Sequence, residues 1–171
     1  MTAWFPIALP GDYTPQKARV HGDSVVVLAA SATAQSALFV RKRGSTALRI
    51  AIIPPSASIK DFVAFSDLGV FVLTAAMASR DGNLTSWDGL QVLELNLDTC
   101  AIRTVYSSDD WDRRQVSFPI SFLGSTPDRR LVLACGQHVA PGESALDYRV
   151  GYLDPVSGQL ELAEQLAGLV F

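Results

Sequence analysis

The feature that most constrains this chain is a pattern that recurs three times: a short, continuously apolar run, an alternating segment, a turn, and a segment whose charges interrupt apolar positions. The apolar runs are VVVLAA at Val25–Ala30, VFVLTA at Val70–Ala75 and RLVLAC at Arg130–Cys135. Runs of this length, rich in β-branched residues, are expected of strands covered on both faces, so each is read as an interior strand. The segments that follow are ALFVRKR from Ala37, LQVLELNL from Leu90 and YRVGYLD from Tyr148. Their alternation predicts one buried and one wetter face.

Turn-forming residues come next, at Gly44-Ser45, at Asp98-Thr99-Cys100 and at Asp154-Pro155-Val156-Ser157-Gly158. They lead into LRIAII from Leu48, AIRTVY from Ala101 and QLELAE from Gln159. A further strand is expected ahead of each interior run, at Ala18–His21, Phe62–Phe65 and Ser117–Leu123. The chain is therefore read as all-β: three tandem four-stranded antiparallel units, at about residues 18–53, 61–106 and 117–165. With 171 residues and 49% hydrophobic content it can bury one substantial core, and a single domain is expected.

Two stretches of the third unit carry a family resemblance. Ser125-Thr126-Pro127-Asp128-Arg129-Arg130-Leu131-Val132-Leu133-Ala134 is similar to the "sPDGkrla" turn and strand of WD40-like and TolB-like β-propeller blades. Tyr152-Leu153-Asp154-Pro155-Val156-Ser157-Gly158-Gln159-Leu160 is similar to their "hDhxtG" exit. Arg129 stands where those blades usually have glycine. The resemblance implies an incomplete, open propeller-like arrangement, because three blades fall short of the usual minimum of about four for ring closure. A homodimer supplying six blades is the other arrangement compatible with three units. Trp4–Leu9 and Leu166–Phe171 are apolar enough to be strands covering exposed edges. The tail also fits a helical period through Leu162, Leu166, Leu169 and Val170, so strand and helix stay open there.

Composition removes several function classes. The net charge of −3 and the single short basic cluster, Arg41-Lys42-Arg43, argue against a nucleic-acid partner. No apolar stretch reaches the roughly 20 residues of a membrane-spanning helix, so no membrane is expected as a partner. Residues 1–9 lack a positive n-region and a long apolar h-region, which reads as a cytoplasmic protein, or a periplasmic one had a leader been removed. Two histidines and two cysteines are too few for a multi-histidine or cysteine-based metal site, and no Walker loop, dinucleotide fingerprint or nucleophile elbow occurs. Neither a cofactor nor a resident metal is expected.

Antiparallel order sends alternate connections to the same end of a sheet. The long loops, Met77–Asp88, Ser107–Val116 and Gln137–Ala145, should therefore share one face with the shorter Ser31–Ser36 and Pro54–Ile59. Long loops on a rigid scaffold are where binding residues concentrate. The most unusual loop is Ser107-Ser108-Asp109-Asp110-Trp111-Asp112-Arg113-Arg114, which sets an aromatic among carboxylates and guanidinium groups in the manner of an interaction hot spot. Arg80 and Trp87 extend the candidate patch from the neighbouring loop, and His138 from the third unit.

The expected function is that of a non-catalytic protein-binding module acting through this face. The alternative is a small propeller-type hydrolase or carbohydrate-binding protein using Asp109, Asp110 and Asp112, which as loop carboxylates are also suited to Ca²⁺. Leu97-Asp98-Thr99-Cys100 followed by AIRTVY and a Ser-rich acidic loop resembles the open, propeller-like immunity proteins that neutralise bacterial type VI amidase effectors. That resemblance implies an inhibitor with a cognate toxin as partner, Ser107 and Ser108 approaching the toxin's active site.

Overall fold

The computed structural model describes residues 6–33, 36–53, 57–77, 87–108, 118–138 and 146–163. Among them lie twelve strands and no helix, and therefore no helix long and apolar enough to cross a membrane. In chain order these are β1 (Tyr13–His21), β2 (Ser24–Ser31), β3 (Ser36–Lys42), β4 (Arg49–Ile52), β5 (Ala57–Phe65), β6 (Gly69–Met77), β7 (Trp87–Leu95), β8 (Ile102–Ser107), β9 (Phe118–Ser125), β10 (Leu131–His138), β11 (Leu146–Leu153) and β12 (Leu160–Leu162). They form three four-stranded antiparallel sheets, β1-β2-β3-β4, β5-β6-β7-β8 and β9-β10-β11-β12, each following chain order. The architecture is all-β and open, propeller-like, with the sheets as blades 1, 2 and 3.

The first strands of two sheets begin earlier than alternation suggested, β1 at Tyr13 rather than Ala18 and β5 at Ala57 rather than Phe62. Each contains one extra residue. Gln16 falls between the pairs Pro15–Ala29 and Lys17–Leu28, and Lys60 between Ile59–Thr74 and Asp61–Leu73. Such a bulge puts the apolar positions on its two sides out of phase, which hides the strand from a period of two. Pro15 is tolerated because β1 is the edge strand of its sheet.

The blades stack face against face. Val26, Leu28, Leu38, Val40, Ala51 and Ile53 of blade 1 meet Phe62, Val70, Val72, Leu93 and Leu95 of blade 2. On its other face blade 2 presents Phe71, Leu73, Val92 and Val105 to Leu131, Leu133, Cys135 and Leu153 of blade 3. The free face of blade 1 carries Val27, Ala29, Ala37 and Phe39, covered by Ile7 and Leu9 of the N-terminal segment and by Tyr13 at the start of β1, whose ring is edge-on to Phe39 at 5.0 Å. Buried Arg41 donates to the Pro6 carbonyl at 2.8 Å, which fixes where that segment enters.

At the centre β5 lies beside both β1 and β9. Asp61 joins all three: Oδ1 accepts from Lys17 Nζ of β1 at 2.5 Å and from the Phe62 amide at 2.8 Å, and Oδ2 accepts from the Phe122 amide of β9 at 3.4 Å. The Lys17 ammonium also sits 5.2 Å from the centre of the Phe62 ring. Lys17, Asp61 and Phe122 each lie three or four residues before the end of their strand. The blades are thereby aligned in parallel and in step, so their strand ends fall at common levels.

A second link repeats between blades. Val26 pairs with Val40 and Val40 with Arg49; Phe71 pairs with Glu94 and Glu94 with Arg103. Arg49 and Arg103 therefore occupy equivalent positions in the outermost strands. Arg49 donates to the Leu97 and Asp98 carbonyls in the β7–β8 turn of blade 2, and Arg103 to the Pro155 carbonyl in the β11–β12 turn of blade 3 at 3.0 Å. Each arginine fastens its blade to the next.

The two receiving turns have one geometry despite unlike sequences. In Asn96–Cys100 the Asn96 side chain accepts the Asp98 and Thr99 amides, and the Cys100 amide returns to the Asn96 carbonyl. In Asp154–Gly158 the Asp154 carboxylate accepts the Val156 amide and the Ser157 hydroxyl, and the Gly158 amide returns to the Asp154 carbonyl. The Ser157 hydroxyl bond, followed by the backbone amide bonds, holds the Asp154 carboxyl below its ordinary range. Both turns end in the left-handed region, at φ 59° for Cys100 and 74° for Gly158. Arg129 stands at φ 67°, so the arginine does adopt the backbone for which glycine is the usual residue. Its guanidinium reaches the Asp67 carbonyl of blade 2 at 2.7 Å.

Gly158 is needed for space as well as for φ, because a Cβ there would stand 2.6 Å from the Val105 carbonyl oxygen of blade 2. Gly158→Ala is expected to lower stability by about 2 kcal/mol, from left-handed strain of about 1–2 kcal/mol and the displaced blade contact. Chemical denaturation of the two proteins measures this. A change below about 0.5 kcal/mol would show that the turn moves freely away from β8.

Candidate functional site

In-step alignment decides which end of the blades holds the long connections. The connections β2–β3, β4–β5, β6–β7, β8–β9 and β10–β11 all leave one rim, and the three longest are nine, ten and seven residues, at 78–86, 108–117 and 139–145. The opposite rim has the compact turns described above. Trp87, Ser107 and His138 sit at strand ends on the long-loop rim: Trp87 opens β7 opposite Met77, Ser107 closes β8 opposite Gln91, and His138 closes β10 opposite Leu146. The strand register thus brings these three to one rim. Arg80, Asp109, Asp110, Trp111, Asp112, Arg113 and Arg114 lie outside the described residues, as does the tail at 164–171, and for Trp87 and His138 the description is of the backbone.

The two serines differ. Ser108 is buried, and its backbone amide donates to the Leu90 carbonyl at 3.0 Å. Its hydroxyl accepts from the Leu90 amide at 3.0 Å and donates to the Leu90 carbonyl at 3.1 Å. Both hydroxyl functions are spent in prolonging the β7–β8 ladder past its last regular pair, a local backbone mimicry typical of serine. Ser108 therefore anchors the base of the loop. Ser107 is half-buried and its Oγ accepts a longer bond from Gln91 Nε2 at 3.3 Å. Its hydroxyl proton is directed by no described partner, so of the two it is the one with a donor to offer a ligand.

Cys135 is fully buried against blade 2, and desolvation pushes its thiol up to about 12, far from the thiolate that a nucleophile requires. Its Sγ fills the space above Gly151, where a Cβ would stand 2.7 Å away. Burial, and then the Cys135 side chain, raise the Tyr106 phenol. Desolvation lowers Lys60 in β5. Among the described residues no group of three or more His, Cys, Asp or Glu side chains is arranged to hold a metal.

Asp61, Lys17, Arg49 and Arg103 were not singled out from sequence, although they do the joining. The available signals were an acidic residue at the head of the apolar segment FVAF, and an arginine recurring near the start of the fourth strand in two units. Comparison with protein-family models found no match, and neither did comparison with curated proteins or with solved structures.

Proposed function

We propose that the protein is a non-catalytic protein-binding module that uses its long-loop rim. The observation supporting this most is the in-step alignment of the blades, through which five connections leave one rim while the other is closed by short turns. A surface assembled from loops on a stiff sheet scaffold is suited to a macromolecular partner, because the scaffold fixes loop bases without fixing their composition. Ser108 fastens the base of the 108–117 connection to Leu90, leaving Ser107 and the Asp109–Arg114 segment as the contact residues. The narrower reading, from resemblance, is an immunity-type inhibitor whose Ser107 and following loop occlude a toxin's active site.

The test is an exchange of residues 109–116 for a Gly/Ser segment of equal length, together with Trp111→Ala. Partner capture from the native host with the unaltered chain should recover a protein. Both variants should keep the strand-rich circular dichroism spectrum. Trp111→Ala should weaken the complex by ~2 kcal/mol or more, roughly thirtyfold in Kd. Unchanged affinity in the loop-exchange variant would overturn the assignment of the surface.

A further inference from the structure

We infer that the outer face of blade 3 is a self-association surface, paired with the same face of a second copy across a twofold axis beside Tyr152. Position by position, the strand pairing identifies the face. Val26–Val40–Arg49 in blade 1 and Phe71–Glu94–Arg103 in blade 2 correspond to Val132–Tyr152–Glu161 in blade 3. In the first two blades this row faces the following blade. In the third, Val132 and Tyr152, with Ala134 and Val150 of the next row, belong to none of the apolar clusters formed among the described residues and stay partly exposed, and Tyr148 beyond them is 43% exposed.

The residue in the arginine position is the second observation. Arg49 and Arg103 donate to carbonyls of the next blade, whereas Glu161 can only accept, and within the chain it accepts from Arg130. Arg130 lies on the same face, over the Tyr152 ring at 5.4 Å and 3.1 Å from Glu161. The face thus carries an Arg130–Glu161 ion pair that reaches across Tyr152, with Asp128 also 2.8 Å from the Arg130 guanidinium. A twofold mate placed there brings two such pairs together, so that Arg130 of each copy also faces Glu161 of the other.

Symmetry selects the same occupant. The free face of blade 1 is already covered by Ile7, Leu9 and Tyr13, so a head-to-tail arrangement would have to displace them and would propagate as a filament. Pairing blade 3 with blade 3 consumes the one sheet face left open among the described residues and closes. Four strands at about 4.8 Å spacing give a face roughly 20 Å wide, at the low end for specific interfaces, so a dissociation constant in the micromolar range is expected.

Sedimentation equilibrium of the full chain from about 1 to 200 µM should show a monomer–dimer equilibrium. Val132→Glu should abolish the dimer with the circular dichroism spectrum unchanged, while Val156→Glu, in a turn away from this face, should leave it. Glu161→Arg, a surface change that does not threaten folding, should weaken the dimer at least tenfold, and adding Arg130→Glu should restore it. A monomer throughout the range would overturn the inference. So would a dimer indifferent to Glu161→Arg, or a monomer that Val132→Glu unfolds, which would mean that the chain covers this face itself. These outcomes concern blade 3 alone and leave the loop-rim reading to its own test.

Discussion

Phe71→Ala is expected to cost about 3–5 kcal/mol, whereas Val132→Ala, at the equivalent position of blade 3, should cost less than about 1 kcal/mol. Phe71 is 1% exposed, with its ring between blades 2 and 3 beside Leu131 and Leu133. Truncation there removes the transfer free energy of a buried aromatic and leaves a cavity between two sheets that interblade hydrogen bonds join elsewhere. Val132 is half-buried, so its truncation leaves a dent that water can fill. Urea denaturation at low micromolar concentration, where self-association contributes little, measures both. Similar costs at the two positions would mean that the outer face of blade 3 is as well packed as the interior, contrary to the burial pattern.

Asp61→Ala should destabilise the fold by about 2–3 kcal/mol. Breaking a buried ion pair costs about 3–5 kcal/mol because the surviving charge is stranded; the lower figure applies because the Lys17 and Asp61 side chains keep 29% and 20% of their exposure. The carboxylate also accepts from the Phe62 and Phe122 amides. Asp61→Asn should lose less, since an amide oxygen still accepts one backbone bond. A double-mutant cycle with Lys17→Ala isolates the pair, and a coupling of about 1 kcal/mol or more is expected. Additive losses would show that Lys17 is held by the Phe62 ring and not by the carboxylate.

Much of the fold was legible because it is local. A period of two, β-branched runs and turn residues are written within a few positions of one another, and from them the three antiparallel sheets and their chain order follow. The starts of β1 and β5 were not legible, because Gln16 and Lys60 break the alternation that marks a strand. At the candidate site, topology placed Trp87, Ser107 and His138 at one end, and the sheets have them there. The roles of Ser107 and Ser108 could not be separated in sequence. Both are serines at a strand end, and the distinction lies in which hydroxyl meets the Leu90 backbone, eighteen residues earlier.

By itself the sequence determined that VVVLAA, VFVLTA and RLVLAC would be central strands. Whether both faces of each would be covered was a tertiary outcome. Val26, Val27, Phe71 and Val72 are all buried, while in β10 Leu131 and Leu133 are buried and Val132 between them is not. The composition of a strand states how much apolar surface it offers. The cover for the second face comes from another sheet or from the N-terminal segment, tens of residues away, and is fixed by the Asp61 junction and the two arginine links between blades. Blade 3 has the same kind of strand as its neighbours and no successor to cover it among the described residues, and only the stacking order of the sheets decides that.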